Sequence, residues 1–130
     1  MSAVINTDIS KRLDIISLKG DTFLLTLEIL NDSEQPFDVS AYEGKMTLIN
    51  KSTQRELLSA YSSGYTGQSN SYITMGNGTI SIEIPYTVTA DWEPVEYEYD
   101  LQVVEPVTGS VDRVFTWLLG VVKVNHKGVA

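Results

Sequence analysis

The chain has 130 residues, of which 42% are hydrophobic, and its formal net charge is −8. This length suits one domain with a real core and leaves no room for two ordinary domains. Because the chain contains no cysteine, disulfides and thiolate metal sites are excluded. No apolar run can span a bilayer, and residues 1–8 lack the basic flank and apolar stretch of a signal peptide. We therefore expect synthesis in a cytoplasm, no export by that route and no membrane partner.

The charge is distributed unevenly along the chain. Between Arg55 and Arg113 there is no Lys or Arg, whereas acidic residues recur through this interval. A phosphate backbone would be repelled there, so we expect no nucleic-acid partner. Solubility is the first interpretation of this charge, and an acidic face for a basic partner or divalent cations is the alternative.

The first half of the chain predicts strands joined by turns. Residues 1–11 are polar and aperiodic, which indicates an N-terminal arm that is mobile or bound to a partner. Predicted strands then cover residues 13–18, 22–30, 37–39 and 44–50. Residues 31–36 are a turn rich in Asn, Asp and Pro. Residues 53–61 have both helical and extended features, and we interpret them as a strand.

Residues 62–78 are rich in Ser, Gly, Asn, Thr and Tyr. This composition predicts a long surface loop or hairpin, with a short extended piece at 72–75. Tyr61, Tyr65 and Tyr72 stand among these small polar residues, as aromatic side chains do in adaptable contact surfaces. They are therefore the binding candidates that the residues alone offer.

The second half contains the clearest strand patterns. Residues 79–84 alternate with isoleucines on one face, and residues 96–103 alternate Glu or Asp with Tyr and Leu. Between these strands, residues 85–94 predict one helical turn started by a threonine cap. A hairpin turn at 106–110 leads to a strand over 111–119, Gly120 predicts a bulge or bend, and residues 121–124 continue. Residues 126–130 are a C-terminal tail.

The strand over 111–119 has apolar side chains on both faces. Such a strand is either central between two covered faces or part of an intermolecular contact. The first alternative makes its large side chains core, and the second makes them partner contacts. We carry Phe115, Trp117 and Leu119 forward as candidate contacts.

Strands at this spacing, without a long amphipathic helix, predict an all-β fold. We expect an antiparallel β-sandwich of about seven strands with one short helical turn. A single domain over 12–125 would lie between the arm and the tail.

Catalytic interpretations are weak. Glu96 and Glu98 share a strand face at a spacing that a carboxylate pair could use, but a wet sheet face explains them better. His126, the only histidine, lies near the end of the chain and is poorly placed for a catalytic triad or a zinc site. We expect no enzyme activity, no cofactor and no metal.

Two further candidates have plainer structural explanations. The oxygen-bearing side chains of residues 31–38 do not match the spacing of a calcium loop. Trp92, Trp117, Tyr97 and Tyr99 could form a sugar-stacking platform, but three of them occupy positions where the pattern predicts core. A plain turn and core packing are therefore preferred.

The order of motifs resembles small virion domains of tailed bacteriophages, in particular the N-terminal module of baseplate upper proteins and tail-fibre adaptors. The resemblance covers about residues 13–124. Its parts are Gly20-Asp21-Thr22, Gln35-Pro36-Phe37-Asp38-Val39-Ser40 with Tyr42, Ile80–Ile84, Pro85–Trp92, Glu93–Leu101, Thr108-Gly109, and Arg113 through Val124. Val95 stands where the family usually has Gly, and residues 62–78 are longer than is typical.

The resemblance implies an immunoglobulin-like sandwich that acts without catalysis as a virion structural subunit. An adaptor or fibre-attachment subunit of a tail or baseplate is the first expectation. The alternatives are a head-decoration or head-fibre-anchoring capsid protein, or a carbohydrate-binding module using the loop tyrosines. Expected partners are other virion proteins and copies of this chain, in a homo-oligomer or ring, with a glycan as second choice.

Overall fold

Alternating side chains determine the architecture. In the strands over 23–30 and 96–105, every second side chain is apolar and points to one face. These faces bury Leu25 and Leu27 from one sheet, and Tyr97 and Leu101 from the other, each at most 2% exposed. The core therefore lies between two packed sheets, and the predicted all-β sandwich is confirmed.

The structure is a computed structural model that describes residues 1–7, 10–62 and 70–126. These residues form ten strands and one helical turn. The strands are β1 (Ser2–Asn6), β2 (Lys11–Arg12), β3 (Ile15–Leu18), β4 (Phe23–Leu30), β5 (Glu43–Asn50), β6 (Glu56–Tyr61), β7 (Ile73–Met75), β8 (Thr79–Ile84), β9 (Glu96–Glu105) and β10 (Arg113–Asn125), and the helical turn is α1 (Tyr86–Thr89).

The two sheets have four and six strands. The smaller has the order β1-β4-β8-β7, and the larger has the order β6-β5-β9-β10, with β2 and β3 both pairing with the far side of β10. From β4 onward the paired strands are antiparallel, as expected. The first three strands differ from that expectation: β1 pairs in parallel with β4, and β2 and β3 pair in parallel with β10. The alternation of side chains within a strand does not show which other strand it pairs with.

The N-terminal residues cross from one sheet to the other. Residues 2–6 of the predicted arm form β1, in which Ile5 is fully buried, and residues 11 and 12 form β2 in the opposite sheet. On the far side of the sandwich, an isolated parallel bridge joins Ser62 to Ile73 and so links the two sheets.

The helical turn is confirmed, but its predicted threonine cap is wrong. Pro85 occupies the N-cap position and makes no side-chain cap bond. Thr89, which is fully buried, instead donates its hydroxyl to the carbonyl oxygen of Asp21 at 2.7 Å. The turn is therefore fastened to the β3–β4 connection.

The irregularity of β10 lies before Gly120. The register with β9 shifts between Thr116 and Leu118, so that Trp117 and Leu118 are both buried although they are neighbours in sequence. Gly120 meets a different need: a Cβ there would lie 2.2 Å from the carbonyl oxygen of Leu13. Glycine thus permits the chain between β2 and β3 to pass directly over β10.

Candidate assembly surfaces

The six predicted contact residues do not converge on one surface. Tyr65 lies outside the described residues. Tyr61 and Tyr72 lie near the end where β6 meets β7, whereas Phe115, Trp117 and Leu119 follow one another along β10. The candidate contacts therefore form two separate regions, one near β6 and β7 and one along β10.

The two described loop tyrosines are half-buried. Tyr61 closes β6, and the ammonium of Lys45 lies 5.6 Å from its ring centroid, within cation–π range. Tyr72 packs against the hydrophobic core. Both rings therefore have structural contacts within the chain, and neither is presented as an open stacking platform.

Phe115 and Trp117 belong to an aromatic cluster at one end of the sandwich. The Phe115 ring stacks on Trp117, with centroids 6.2 Å apart and planes inclined by 21°. Phe37 meets Trp117 edge-on at 6.4 Å, and Tyr42 meets Phe37 edge-on at 5.9 Å. Trp117 is 4% exposed whereas Phe115 is 37% exposed. The two alternatives for this strand, core and surface, therefore apply to different residues of it: Trp117 is core, and Phe115 reaches the surface.

Polar contacts fix the rim of the aromatic cluster. The Tyr42 hydroxyl donates to Glu105 at 2.9 Å, and Arg113 lies 3.6 Å from the same carboxylate. Burial is the main cause that raises the pKa of the Tyr42 hydroxyl, and the hydrogen bond to Glu105 raises it further. The indole N–H of Trp117 has no hydrogen-bond partner among the described residues. Among those residues it is a buried donor without an acceptor, on the strand that also carries the exposed Val114 and Phe115.

Leu119 lies on the outer face of the larger sheet. It lines an open groove of about 600 Å³ together with Lys45, Asp100 and Gln102. Burial raises the pKa of the Asp100 carboxyl, and the positive charge of Lys45 opposes that shift. The row of carboxylates on β9 is therefore not a bare acidic surface, because lysines of the neighbouring strands lie beside it.

Three outer strand edges are each contacted by one polar side chain. Lys11 donates to the carbonyl oxygen of Val4 on β1 at 3.3 Å, and the Ser10 hydroxyl donates to that of Thr116 on β10 at 2.5 Å. Asn70 accepts from the Tyr61 N–H at 2.8 Å and donates to the Ser59 carbonyl at 3.0 Å on β6. Side chains that occupy edge groups hinder the addition of further strands.

The edge of β3 differs from these three. The Lys19 N–H donates to the Asn125 carbonyl at 2.9 Å, which fixes the parallel register and turns the N–H and C=O of Ile16 away from β10. Within residues 1–7, 10–62 and 70–126, no strand or side chain bonds to that outward pair. The Ile16 side chain is 67% exposed, and Leu18, on the same face, is 39% exposed. Strand pattern marked residues 13–18 as extended but could not show which edge stays open.

The side chains considered for catalysis or sugar stacking have structural roles. Trp92, Trp117, Tyr97 and Tyr99 are each at most 4% exposed. The Tyr97 hydroxyl donates to the Glu93 carbonyl at 3.3 Å, and the Tyr99 hydroxyl donates to that of Leu13 at 2.5 Å. Burial raises the pKa of the Tyr99 hydroxyl strongly. These rings anchor β9 to its surroundings and cannot receive a sugar.

The polar candidates are also explained locally. Glu96 pairs with Lys51 at 3.6 Å, and Glu98 accepts from Gln54 at 3.4 Å, both on the exposed face. In the predicted turn, the Asn31 side chain accepts the N–H groups of Ser33 and Gln35 at 2.9 and 3.0 Å. The side-chain oxygen of this turn residue is thus used by the turn itself. His126 is exposed beyond β10.

The described part of the chain has neither a candidate metal cluster nor a membrane-spanning helix. Residues 1–7, 10–62 and 70–126 contain no group of three or more His, Cys, Asp and Glu that could hold a metal ion. Within the same ranges, no helix has the length and apolar character needed to cross a membrane.

The fold can be compared with solved structures. The N-terminal domain of phage TP901-1 ORF48 superposes with a TM-score of 0.53, covering 96% of this chain and 99% of that domain at 12% sequence identity. The chain is similar in fold to a phage protein domain. No protein-family model and no curated protein sequence matches it. The likeness therefore concerns the arrangement of the strands over nearly the whole domain.

Proposed function

We propose that this chain is a non-enzymatic structural protein of a phage virion, and specifically an adaptor or fibre-attachment subunit of the tail or baseplate. The observation that carries the proposal is the likeness in fold to a phage protein domain, which spans almost the full length of both chains. The order of motifs from Gly20-Asp21-Thr22 to the strand beginning at Arg113 supports the same assignment independently of the superposition.

The arrangement of side chains supports a role in assembly. Trp92, Tyr97 and Tyr99 are buried inside the sandwich, where they serve its packing and not a ligand site. Its exposed apolar side chains include Val114, 58% exposed, and Phe115, 37% exposed, which lie on opposite faces of β10. Apolar groups on a strand near a sheet edge suit contact with a neighbouring subunit.

The proposed contact surfaces are the N-terminal residues 1–11, the region from Tyr61 to Met75, and the apolar outer face of residues 111–119. Copies of the chain would contact each other and other virion proteins in a closed, symmetric arrangement. The chain would be made in the host cytoplasm and end in the particle. Placement in the head, as a decoration or fibre-anchoring protein, is the variant that the first experiment distinguishes.

That experiment is quantitative mass spectrometry of purified virions, with heads and tails separated on a density gradient. We expect the chain in the tail fraction at a fixed ratio to a major tail protein. Recovery in the head fraction would contradict the adaptor assignment, and absence from both fractions would contradict a virion role altogether.

A matched pair of variants tests the surface. Val114→Asp places a charge on the exposed part of β10, and Thr26→Asp places one on an exposed position of β4 in the opposite sheet. We expect Val114→Asp to reduce the number of copies per particle and Thr26→Asp to leave it unchanged, with equal thermal stability of the two purified chains. Equal incorporation would show that β10 is not a contact surface.

A further inference from the structure

The open edge of β3 has the properties of a self-complementary strand. Its outward main-chain groups are the N–H and C=O of Ile16 and the N–H of Leu18, whose carbonyl accepts the Asp21 N–H at 3.1 Å in the following turn. The side chains of Ile16 and Leu18 lie on the same face of the sheet and are both exposed. The residue between them, Ser17, carries a small side chain on the other face. A groove of about 290 Å³ leads from this surface toward Met1 and Leu24, which are 53% and 49% exposed.

We propose that β3 is the contact through which two copies of this chain pair edge to edge, antiparallel, about a two-fold axis at Ser17. This inference deepens the proposed assembly function and rests on it. In this register Ile16 lies opposite the partner's Leu18 and Leu18 opposite the partner's Ile16. Residues of equal parity face each other, as a continuous antiparallel sheet requires.

The register satisfies both the main chain and the side chains. The Leu18 N–H faces the partner's Ile16 carbonyl, so the two strands can form two main-chain hydrogen bonds between unoccupied groups. Two more would run from the Ile16 N–H to the partner's Leu18 carbonyl, which has a second lone pair beside its bond from Asp21. Each Ile16 side chain then lies beside the Leu18 side chain of the other copy on the exposed face, and such cross-strand pairs stabilise a sheet. Lys19 falls opposite Ile15, so no like charges meet in the strand pair.

A second copy fits this edge better than it fits the outer edges of β1, β6 and β10. On β1, β6 and β10, an outward main-chain group is already bonded by Lys11, Asn70 or Ser10. An incoming strand would have to displace those side chains first. At Ile16 nothing among the described residues needs to move.

The contact is small and works against the net charge. Two four-residue strands bury less surface than the roughly 1,600 Å² of a standard stable interface. Each copy also carries a formal charge of −8, so repulsion between copies weakens as salt screens it. We therefore expect weak association in solution, stronger at high salt, with the neighbours in a particle supplying the local concentration.

The absence of cysteine makes cross-linking a clean test. In the proposed register, the two Ser17 residues form a non-hydrogen-bonded pair with Cα atoms about 4.5 Å apart, within the range that a disulfide spans. Ser17→Cys should give a disulfide-linked dimer under mild oxidation, more at high salt. Ser52→Cys, in the exposed turn after β5, is the control and should cross-link at least about tenfold less.

A second pair of variants distinguishes a disulfide formed through specific β3 pairing from one formed by random collision. In the Ser17→Cys background, Ile16→Lys should abolish most of the dimer, whereas Tyr86→Lys, at a comparably exposed position (61%) on α1, should not. Equal cross-linking of Ser17→Cys and Ser52→Cys, or equal loss with the two lysine variants, would overturn the inference. A chain found in virions that fails these tests would refute the β3 contact alone and leave the proposed function standing.

Discussion

Replacement of Gly120 by alanine tests how the N-terminal segment is held on β10. The new Cβ would lie 2.2 Å from the carbonyl oxygen of Leu13 and 2.8 Å from its carbonyl carbon. Both contacts are with main chain, so the segment between β2 and β3 must move away. That segment is fixed by three hydrogen bonds: Leu13 N–H to Leu119 at 2.9 Å, the Tyr99 hydroxyl to Leu13 at 2.5 Å, and Val121 N–H to Asp14 at 3.0 Å.

The expected loss follows from those three bonds. Each ordinary hydrogen bond contributes about 1 kcal/mol net, and a buried group left without a partner costs about 1–3 kcal/mol. With the Tyr99 hydroxyl stranded, Gly120→Ala should lower the free energy of unfolding by about 3–5 kcal/mol, a large part of the ~5–15 kcal/mol typical of a domain. Urea unfolding followed by tryptophan fluorescence measures this loss.

Gly109→Ala is the matched control. Gly109 has a φ of +77°, but a Cβ there meets nothing within 4 Å. Its replacement should cost only the backbone strain of about 1–2 kcal/mol. If Gly120→Ala costs no more than Gly109→Ala, the close passage of Leu13 over β10 is not what requires glycine.

Three further predictions concern buried polar groups. Because burial raises the pKa of the Tyr99 hydroxyl above the usual tyrosine value of about 10, its contribution should be complete below about pH 10 and should decline as the pH rises above it. The alkaline loss of stability should therefore be smaller in Tyr99→Phe than in the unmodified chain, and equal losses would assign it to another group. Ser62 is 4% exposed and accepts the Gly44 N–H at 2.8 Å, so Ser62→Ala should cost about 1–3 kcal/mol in urea unfolding, whereas exposed Ser71→Ala should be neutral. A similar cost for both would count against that bond. Trp117→Phe removes an indole N–H without a described partner, so relief of about 1–3 kcal/mol should offset much of the packing loss. A thermal melt showing the full ~3–5 kcal/mol cost of a large core truncation would indicate that the indole is satisfied.

The sequence alone predicts the strands in which apolar and polar side chains alternate regularly. Residues 79–84 and 96–103 alternate between apolar and polar side chains, and both form strands at those positions. The burial of Tyr97 and Tyr99 also followed from pattern, whereas the pattern left Trp117 open between core and partner contact. Helical spacing in residues 53–61 left two interpretations, and the edge pairing with β5 resolved them in favour of a strand.

What could not be predicted depends on contacts between distant residues. Ser2–Asn6 and Lys11–Arg12 carry no clear period, because each strand is short and held mainly by its partner. Gly120 signalled a special backbone position, but the bulge lies near Trp117, and the reason for the glycine is a segment more than 100 residues earlier. The open edge at Ile16 depends in the same way on which strands pair and which side chains cover the rest. The alternation of side chains within a strand carries no information about which strands lie beside it.

The parallel pairing of β2 and β3 with β10 also constrains the order of folding. Lys11 pairs with Leu118, and Ile15 with Val122, so each contact closes a loop of more than 100 residues. Long loops cost more entropy to close, and proteins rich in such contacts fold slowly. During synthesis, β2 and β3 can join the larger sheet only after β10 has been made. Until then the exposed side chain of Ile16 belongs to an unattached segment, so the edge proposed to pair two copies exists only after β10 has been made.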